Sequence, residues 1–305
     1  MKVFKRLFSL LLLSVSLAAG AQSESVVLRM DVGDDFEVGT KNAFTMKMNM
    51  MGQEMEISME FGGTASAIDA ETEGNVALSY VFTDIIIELK ADGMEGRYNS
   101  RTGENTFPAG SEEITMVARM FNGIRMNMEY TPQAEFVKVL NPDEVVDHMM
   151  AAMGEGEGAS EMMREQMRNE VLNGSMNDQI GLSAVSYPID AISVGDTWSS
   201  TETTNSGGIP IAMDLNYTVS EIKNGKVFID VTGGFSEDGS NALAGMFGEY
   251  DFEGEVIIDQ ATGWVLKNEI KMDSGYSSEV SDESSKESDE MTMKMFMHVL
   301  STSEL

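Results

Sequence analysis

The chain contains no cysteine. That excludes a disulfide framework, a thiolate nucleophile, a zinc-cysteine centre and an acylated cysteine anchor. Histidine is nearly absent as well, with only His148 and His298, so imidazole-based catalysis has little to work with. Basic residues are scarce: 20 Lys and Arg stand against 51 Asp and Glu, a formal net charge of -31. A field of that sign repels nucleic acid and anionic membrane surfaces, and it reads as solvation rather than as a site. Long apolar runs are missing too. Beyond the first residues none approaches the ~20 apolar residues a membrane-crossing helix requires, so no membrane span is expected.

The amino terminus reads MKVFKRLFSLLLLSVSLAAGAQS. Lys2, Lys5 and Arg6 precede an apolar run from Leu7 to Leu17, and Ala19, Gly20 and Ala21 form an A-x-A site. This is the pattern of a signal peptide over residues 1–21, and it predicts export to the periplasm or medium as a soluble protein. Its removal takes three basic residues and no acidic one, so the remaining charge is 17 minus 51, or -34.

Most of the remaining sequence alternates with the two-residue period of half-buried antiparallel strands. Phe44, Met46, Met48 and Met50 share one face; after a turn around Gly52, so do Met55, Ile57, Met59 and Phe61. Val76, Leu78, Tyr80 and Phe82 continue the theme, and Ile85 begins what looks like a further strand. Asn224-Gly225 and the DQATGW run from Asp259 mark hairpin turns. In the middle, Asn141-Pro142-Asp143-Glu144 opens a helix carrying Val145, Val146, Met149, Met150 and Met153. GEGEG from Gly154 separates it from a second helix near Ser160 to Leu172.

The strand-rich halves also align with each other. Val38-Gly39, Thr64 to Ile68 and Val76 to Leu78 correspond to Val194-Gly195, Thr218 to Ile222 and Val227 to Ile229. The expectation is therefore an α+β, mainly antiparallel β chain of two related curved, half-barrel-like sheet units, each with a short helix. Its parts are a first unit at 22–140, a helical insert at 141–186, and a second unit at 187–305 with an acidic loop at 281–290.

Three runs carry a family resemblance: YPIDAISVGDTWSS from Tyr187, FNGIRMNMEYTPQAEFVKVLNPDEVV from Phe121, and TVSEIKNGKVFIDV from Thr218. Together they resemble an uncharacterised family of exported bacterial proteins, a domain of unknown function. In that family a V-G-D-x-W element opens the second half and a β-hairpin closes the first. The resemblance covers nearly the whole chain after the signal peptide, although Pro132-Gln133 stands where a glycine turn is usual. It implies export and a β-rich fold, and no activity.

Methionine is the abundant oddity, at 27 residues. FTMKMNMM from Phe44 and MTMKMFMH from Met291 are two alternating ladders whose sulfurs would share one face if the strands paired. Methionine packs irregular cores, lines adaptable apolar pockets, and as a soft thioether holds Cu(I) or Ag(I). Core packing explains the positions most simply. A pocket for an apolar ligand would use Met46, Met48, Met50, Met55, Met59, Met293 and Met295. A soft-metal site would use Met46, Met48, Met293 and Met295; His298 falls on the other face.

Enzyme signatures are weak. No G-x-S-x-G elbow occurs, and Ser220-Glu221-Ile222-Lys223 matches S-x-x-K only inside a strand, where serine and lysine diverge. His148 beside Asp147 lacks a nucleophile. Asp31, Asp34, Asp35 and the Asp238 to Asn241 turn match no calcium loop and read as turn chemistry. Trp198 and Trp264 are expected to anchor strand starts. The expectation is an exported non-enzymatic protein without a cofactor, binding an apolar small molecule such as a lipid acyl chain. The alternatives are a Cu(I)/Ag(I) binder and an envelope structural or interaction protein.

Overall fold

The alternating segments become strands, as half-buried two-residue periodicity dictates. A computed structural model describes residues 25–50, 53–91, 93–154, 161–172, 185–206, 209–236, 250–281 and 288–305. In the first half the strands are β1 (Ser25–Val26), β2 (Glu37–Met50), β3 (Gln53–Ile68), β4 (Val76–Ala91), β5 (Met94–Asn99), β6 (Glu104–Asn105), β7 (Arg125–Tyr130) and β8 (Phe136–Val139). Three helices follow the same chain order: α1 (Glu112–Phe121), α2 (Pro142–Met153) and α3 (Glu161–Leu172). The second half supplies β9 (Ile192–Ser193), β10 (Thr197–Ser206), β11 (Ile209–Lys223), β12 (Lys226–Phe235), β13 (Tyr250–Asp259), β14 (Val265–Ser281) and β15 (Ser288–Glu304).

Thirteen strands form one antiparallel sheet in the order β10-β11-β12-β13-β14-β15-β2-β3-β4-β5-β6, with β7 and β8 attached to β4. The two halves of the chain meet at β15 and β2, where Met297 lies opposite Met46 and Met295 opposite Met48. The mainly antiparallel α+β expectation holds, and the two ladders do pair. Of the segments that align between the halves, Thr64–Ile68 and Val76–Leu78 fall on β3 and β4 and Thr218–Ile222 and Val227–Ile229 on β11 and β12, while Val38-Gly39 lies in β2 and Val194-Gly195 in the turn before β10. The expected signal segment and residues 237–249, where a turn at Asp238 is expected, lie outside the described residues. So do 282–287, flanked by strands that remain paired to Ser281 and Ser288.

One expectation needs correcting. Ile85 begins no new strand: Val76–Phe82 and Ile85–Leu89 belong to a single β4, bent where Asp84 takes φ 56. The bend lets β4 fork, its first part pairing with β7 and its second with β5. Local turn chemistry behaves as read: Asn224 and Gly225 take φ 53 and 71 between β11 and β12. Asn141 opens α2 without a side-chain cap. Its amide instead accepts from Asn127 N at 2.8 Å and donates to Arg125 O at 3.1 Å, tying the helix to β7.

The sheet is strongly curled at one end. On a flat sheet β7 and β13 would stand six strand spacings, about 29 Å, apart. Yet the consecutive residues Met30 and Asp31 bond Pro132 O beyond β7 and Thr262 O beyond β13, at 2.8 and 2.9 Å. Tyr187 makes the same bridge, with its N donating to Gln133 O and its hydroxyl to Gly263 O at 2.7 Å. Curling is permitted by Gly254, where a Cβ would lie 2.2 Å from Glu269 O on the next strand. The strap of residues 25–36, α2 and α3 fill the curled end together with Tyr80, Phe82, Met126, Tyr217, Ile229 and Ile258 in one core.

Candidate ligand-binding face

Register divides the sheet into two chemically opposite faces. From β14 to β4 the inner face carries Asn268, Ile270 and Met272, then Met297, Val299 and Ser301, then Thr40 to Met48 at alternate positions, then Met55, Ile57 and Met59, then Ile87 and Leu89. None of these is charged. The charges go to the outer face, where Lys41 pairs with Glu60 at 2.9 Å, Lys47 with Glu56 at 3.5 Å and Lys267 with Glu255 at 2.8 Å.

Along the inner face, away from the curled end, the core breaks into two separate clusters. Ile85, Ile87 and Ala118 gather Met59, Phe61 and Phe121 under α1 on one side. Phe252 and Met272 gather Met213, Ile270 and Met297 on the other. Between them Phe44, Met46, Met48, Met55, Ile57 and Val299 are half-buried and join none of the core clusters. They form an apolar trough over β15, β2 and β3. Of the candidates named from sequence, Met46, Met48 and Met55 line this trough, whereas Met59 packs toward α1. Met293 is in register with Met50 and Met295 with Met48; the side chains of Met50, Met293 and Met295 lie outside the described set. Phe44, Ile57 and Val299 were not singled out, although their strand positions carried the signal.

The trough ends in a polar row toward the curled core. Ser301 Oγ donates to Asn42 Oδ1 at 2.5 Å, and Asn42 Nδ2 donates to the Tyr80 hydroxyl at 3.2 Å. Tyr80 also shares a hydrogen bond with Thr40 Oγ1. Burial pushes the Tyr80 phenol up, against the bonds from Thr40 and Asn42. Asn268, opposite Ser301, has its Oδ1 buried without a hydrogen bond.

The outer face has a hollow of about 580 Å³, lined by Lys47, Asn49, Glu54, Glu56, Lys90, Asp273 and Phe296, and reached also by Met48, Met55 and Ala91. Its walls are solvated ion pairs, with the Lys47 and Glu56 side chains 56% and 38% exposed, and surface pairs hold little binding energy. Nearby, hydrogen bonds from Lys267 and Lys271, and from His298, hold the Glu269 carboxyl down to about 2, against desolvation. A depressed carboxylate stabilises the fold fully above its ordinary value of 4.5, and that contribution disappears as pH falls through about 2. Glu269→Gln should therefore lower stability by about 1 kcal/mol near neutrality. Thermal midpoints of the two proteins should converge between pH 4.5 and pH 2.

The other chemical candidates dissolve into structure. His298 bonds Glu269 Oε1 at 3.1 Å, away from the methionines, and His148 faces Asn122 O at 3.2 Å. Ser220 bonds Phe228 O while Lys223 pairs with Glu221. Trp198 bonds Ser186 O at the start of β10, and Trp264 packs on Phe36 before β14. Glu129 is a fully buried carboxylate, held below the usual range first by Thr72, then by Asn75 at 2.7 Å and Lys138, despite desolvation. It ties the 70–75 turn to β7. Among the described residues no helix is long and apolar enough to cross a membrane, and no group of His, Asp or Glu is arranged to hold a metal.

Comparison with family models decides the relationship, since one matches residues 73–265, more than half of the chain. The chain belongs to DUF6263, a family of unknown function. No curated protein matches this DUF6263 chain. Among solved structures it resembles one of lipid-protein interactions in lipovitellin, with TM-score 0.51 and 8% identity over 88% of this chain and 25% of that one. The DUF6263 chain thus spans about a quarter of that protein's length, and the likeness is one of fold. A DUF1329 family protein from Desulfovibrio piger aligns over 86% of this chain and 84% of that one at 10% identity, with TM-score 0.15, too low to indicate a shared fold.

Proposed function

We propose that this DUF6263 chain is an exported, non-enzymatic binding protein whose inner face takes an apolar ligand such as a lipid acyl chain. The observation that carries the reading is the uncharged, half-buried trough of Phe44, Met46, Met48, Met55, Ile57 and Val299 between two cores. Apolar surface left half-covered and rimmed by packed elements is where ligands bind. Methionine suits a face that must repack around varied chains. From Phe44 to Met48 the strand rises about 14 Å, close to the ~15 Å that one leaflet gives its acyl chains. The fold likeness to a lipovitellin structure described for its lipid-protein interactions is in keeping with this.

The register favours one second reading, soft-metal binding, because Met48 lies between Met295 and Met55 across three strands. A single variant separates the two. Changing Met46, Met48, Met293 and Met295 together to leucine keeps the face apolar and removes the thioethers. Displacement of a fluorescent acyl probe should be unchanged within about threefold, since such swaps are volume-conserving. Loss of probe binding in this variant, or no probe binding by the parent, would sink the acyl reading; Cu(I) binding lost only in the variant would establish the metal.

A further inference from the structure

The hollow on the outer face has a chemistry of its own, set out in one row. Asp273, Phe296, Lys47, Glu56 and Lys90 stand directly opposite one another across β14, β15, β2, β3 and β4. Four strand spacings make that row about 19 Å long. Half-buried Phe296 stands between Asp273 and Lys47, and beyond it the charges change sign from strand to strand. Asn49 and Glu54, opposite each other on β2 and β3, add an amide and a further carboxylate. A ligand of one sign laid along the row meets its own charge twice: Asp273 and Glu56 oppose an anion, Lys47 and Lys90 a cation. The row therefore offers alternating hydrogen-bond acceptors and donors around one aromatic ring, and no net attraction for charge.

We propose that the outer hollow binds a neutral oligosaccharide of about four rings, laid across the strands with one ring against Phe296. A sugar hydroxyl both donates and accepts, so it serves the carboxylates of Asp273 and Glu56 and the ammonium groups of Lys47 and Lys90 alike. The C–H face of a pyranose is apolar and covers an aromatic ring, while its edge stays polar. One such ring is about as long as one strand spacing, so successive rings meet successive strands. The Lys47 and Glu56 side chains are open to solvent, and hydroxyl contacts leave them so, which avoids the cost of burying a charge. This site lies on the opposite face of the sheet from the apolar trough and does not rest on the acyl reading.

Saturation-transfer NMR and titration of the purified protein at pH 6 test this with tetramers of equal ring number. Cellotetraose, maltotetraose and the N-acetylglucosamine tetramer are the neutral probes; the glucosamine tetramer is the cation and the galacturonic acid tetramer the anion. At least one neutral tetramer should bind, about tenfold more tightly than either charged one. Phe296→Ala should weaken it about tenfold, and Phe296→Tyr, which keeps the ring, should hold it within about threefold. Thermal midpoints of the same samples separate lost binding from lost fold. Lys90→Glu, at an exposed position, is the second variant: it ends the alternation, so the cationic tetramer should gain about tenfold on the neutral one. Equal binding of neutral and charged tetramers, preference for a charged one, or neutral binding that Phe296→Ala leaves intact overturns the proposal. So does the absence of binding by every tetramer at millimolar concentration. None of these outcomes bears on acyl binding at the trough.

Discussion

Gly263→Ala should destabilise the protein by more than about 3 kcal/mol, in the range reserved for backbone strain and core disruption. Gly263 turns the chain between β13 and β14 at φ +64, and a Cβ there would lie 2.0 Å from Arg29 O and 2.8 Å from Met30 N. The left-handed backbone alone costs a non-glycine residue about 1–2 kcal/mol. The contact is with backbone, so no side-chain rotation relieves it. Either the strap or the turn must move, which breaks the Asp31 N to Thr262 O bond and the Tyr187 hydroxyl bond to Gly263 O. Gly225→Ala is the control: its φ is +71, with nothing within 4 Å of a Cβ, so only the dihedral cost remains. Urea unfolding of both variants checks this, and equal losses would mean that the strap does not hold the curled end.

Phe82→Ala should cost about 3–5 kcal/mol, whereas Met46→Ala and Met48→Ala should each cost about 1 kcal/mol or less. Phe82 is 0% exposed, with ring centroids 4.6 Å from Tyr80 and 6.2 Å from Phe121. Truncating it leaves a cavity in the core that fills the curled end. Met46 and Met48 are half-buried on an open trough, so their truncation loses partial burial and encloses no void. The methionine variants should stay folded and weaken acyl-probe binding, separating function from stability. Methionine losses as large as that of Phe82 would make the ladders core instead. Thermal and urea midpoints, with probe titration on the same samples, decide between them.

The contrast shows what was legible in the sequence. Alternation in FTMKMNMM fixed which side chains share a face, and the matching MTMKMFMH ladder foreshadowed the β15–β2 pairing that joins the halves. Asn224-Gly225 and Gly154 marked their turns because positive φ has a residue signature. Periodicity could not say what covers a face. Met59 and Met48 follow the same pattern on neighbouring strands, yet α1 approaches the first and not the second. The fork in β4 was hidden because Asp84 bends the strand without glycine or proline. The strap of residues 25–36 and the polar row of Asn42, Tyr80, Asn268 and Ser301 arise from pairings up to 259 residues apart, and local pattern does not report on those. Thr40 and Asn42 did continue the alternation of Phe44, so a polar end to the apolar face could have been read by extending the strand backward.

The central claim is that the inner trough carries an apolar ligand. Native mass spectrometry of the protein purified from its native host, without detergent, tests it most directly. The account predicts a bound species of lipid mass that is released by organic solvent, and that is lost when Met46 and Met48 are both changed to lysine in a protein that still folds. A parent protein that flies only at its bare mass and takes up no acyl chain when offered one would contradict it.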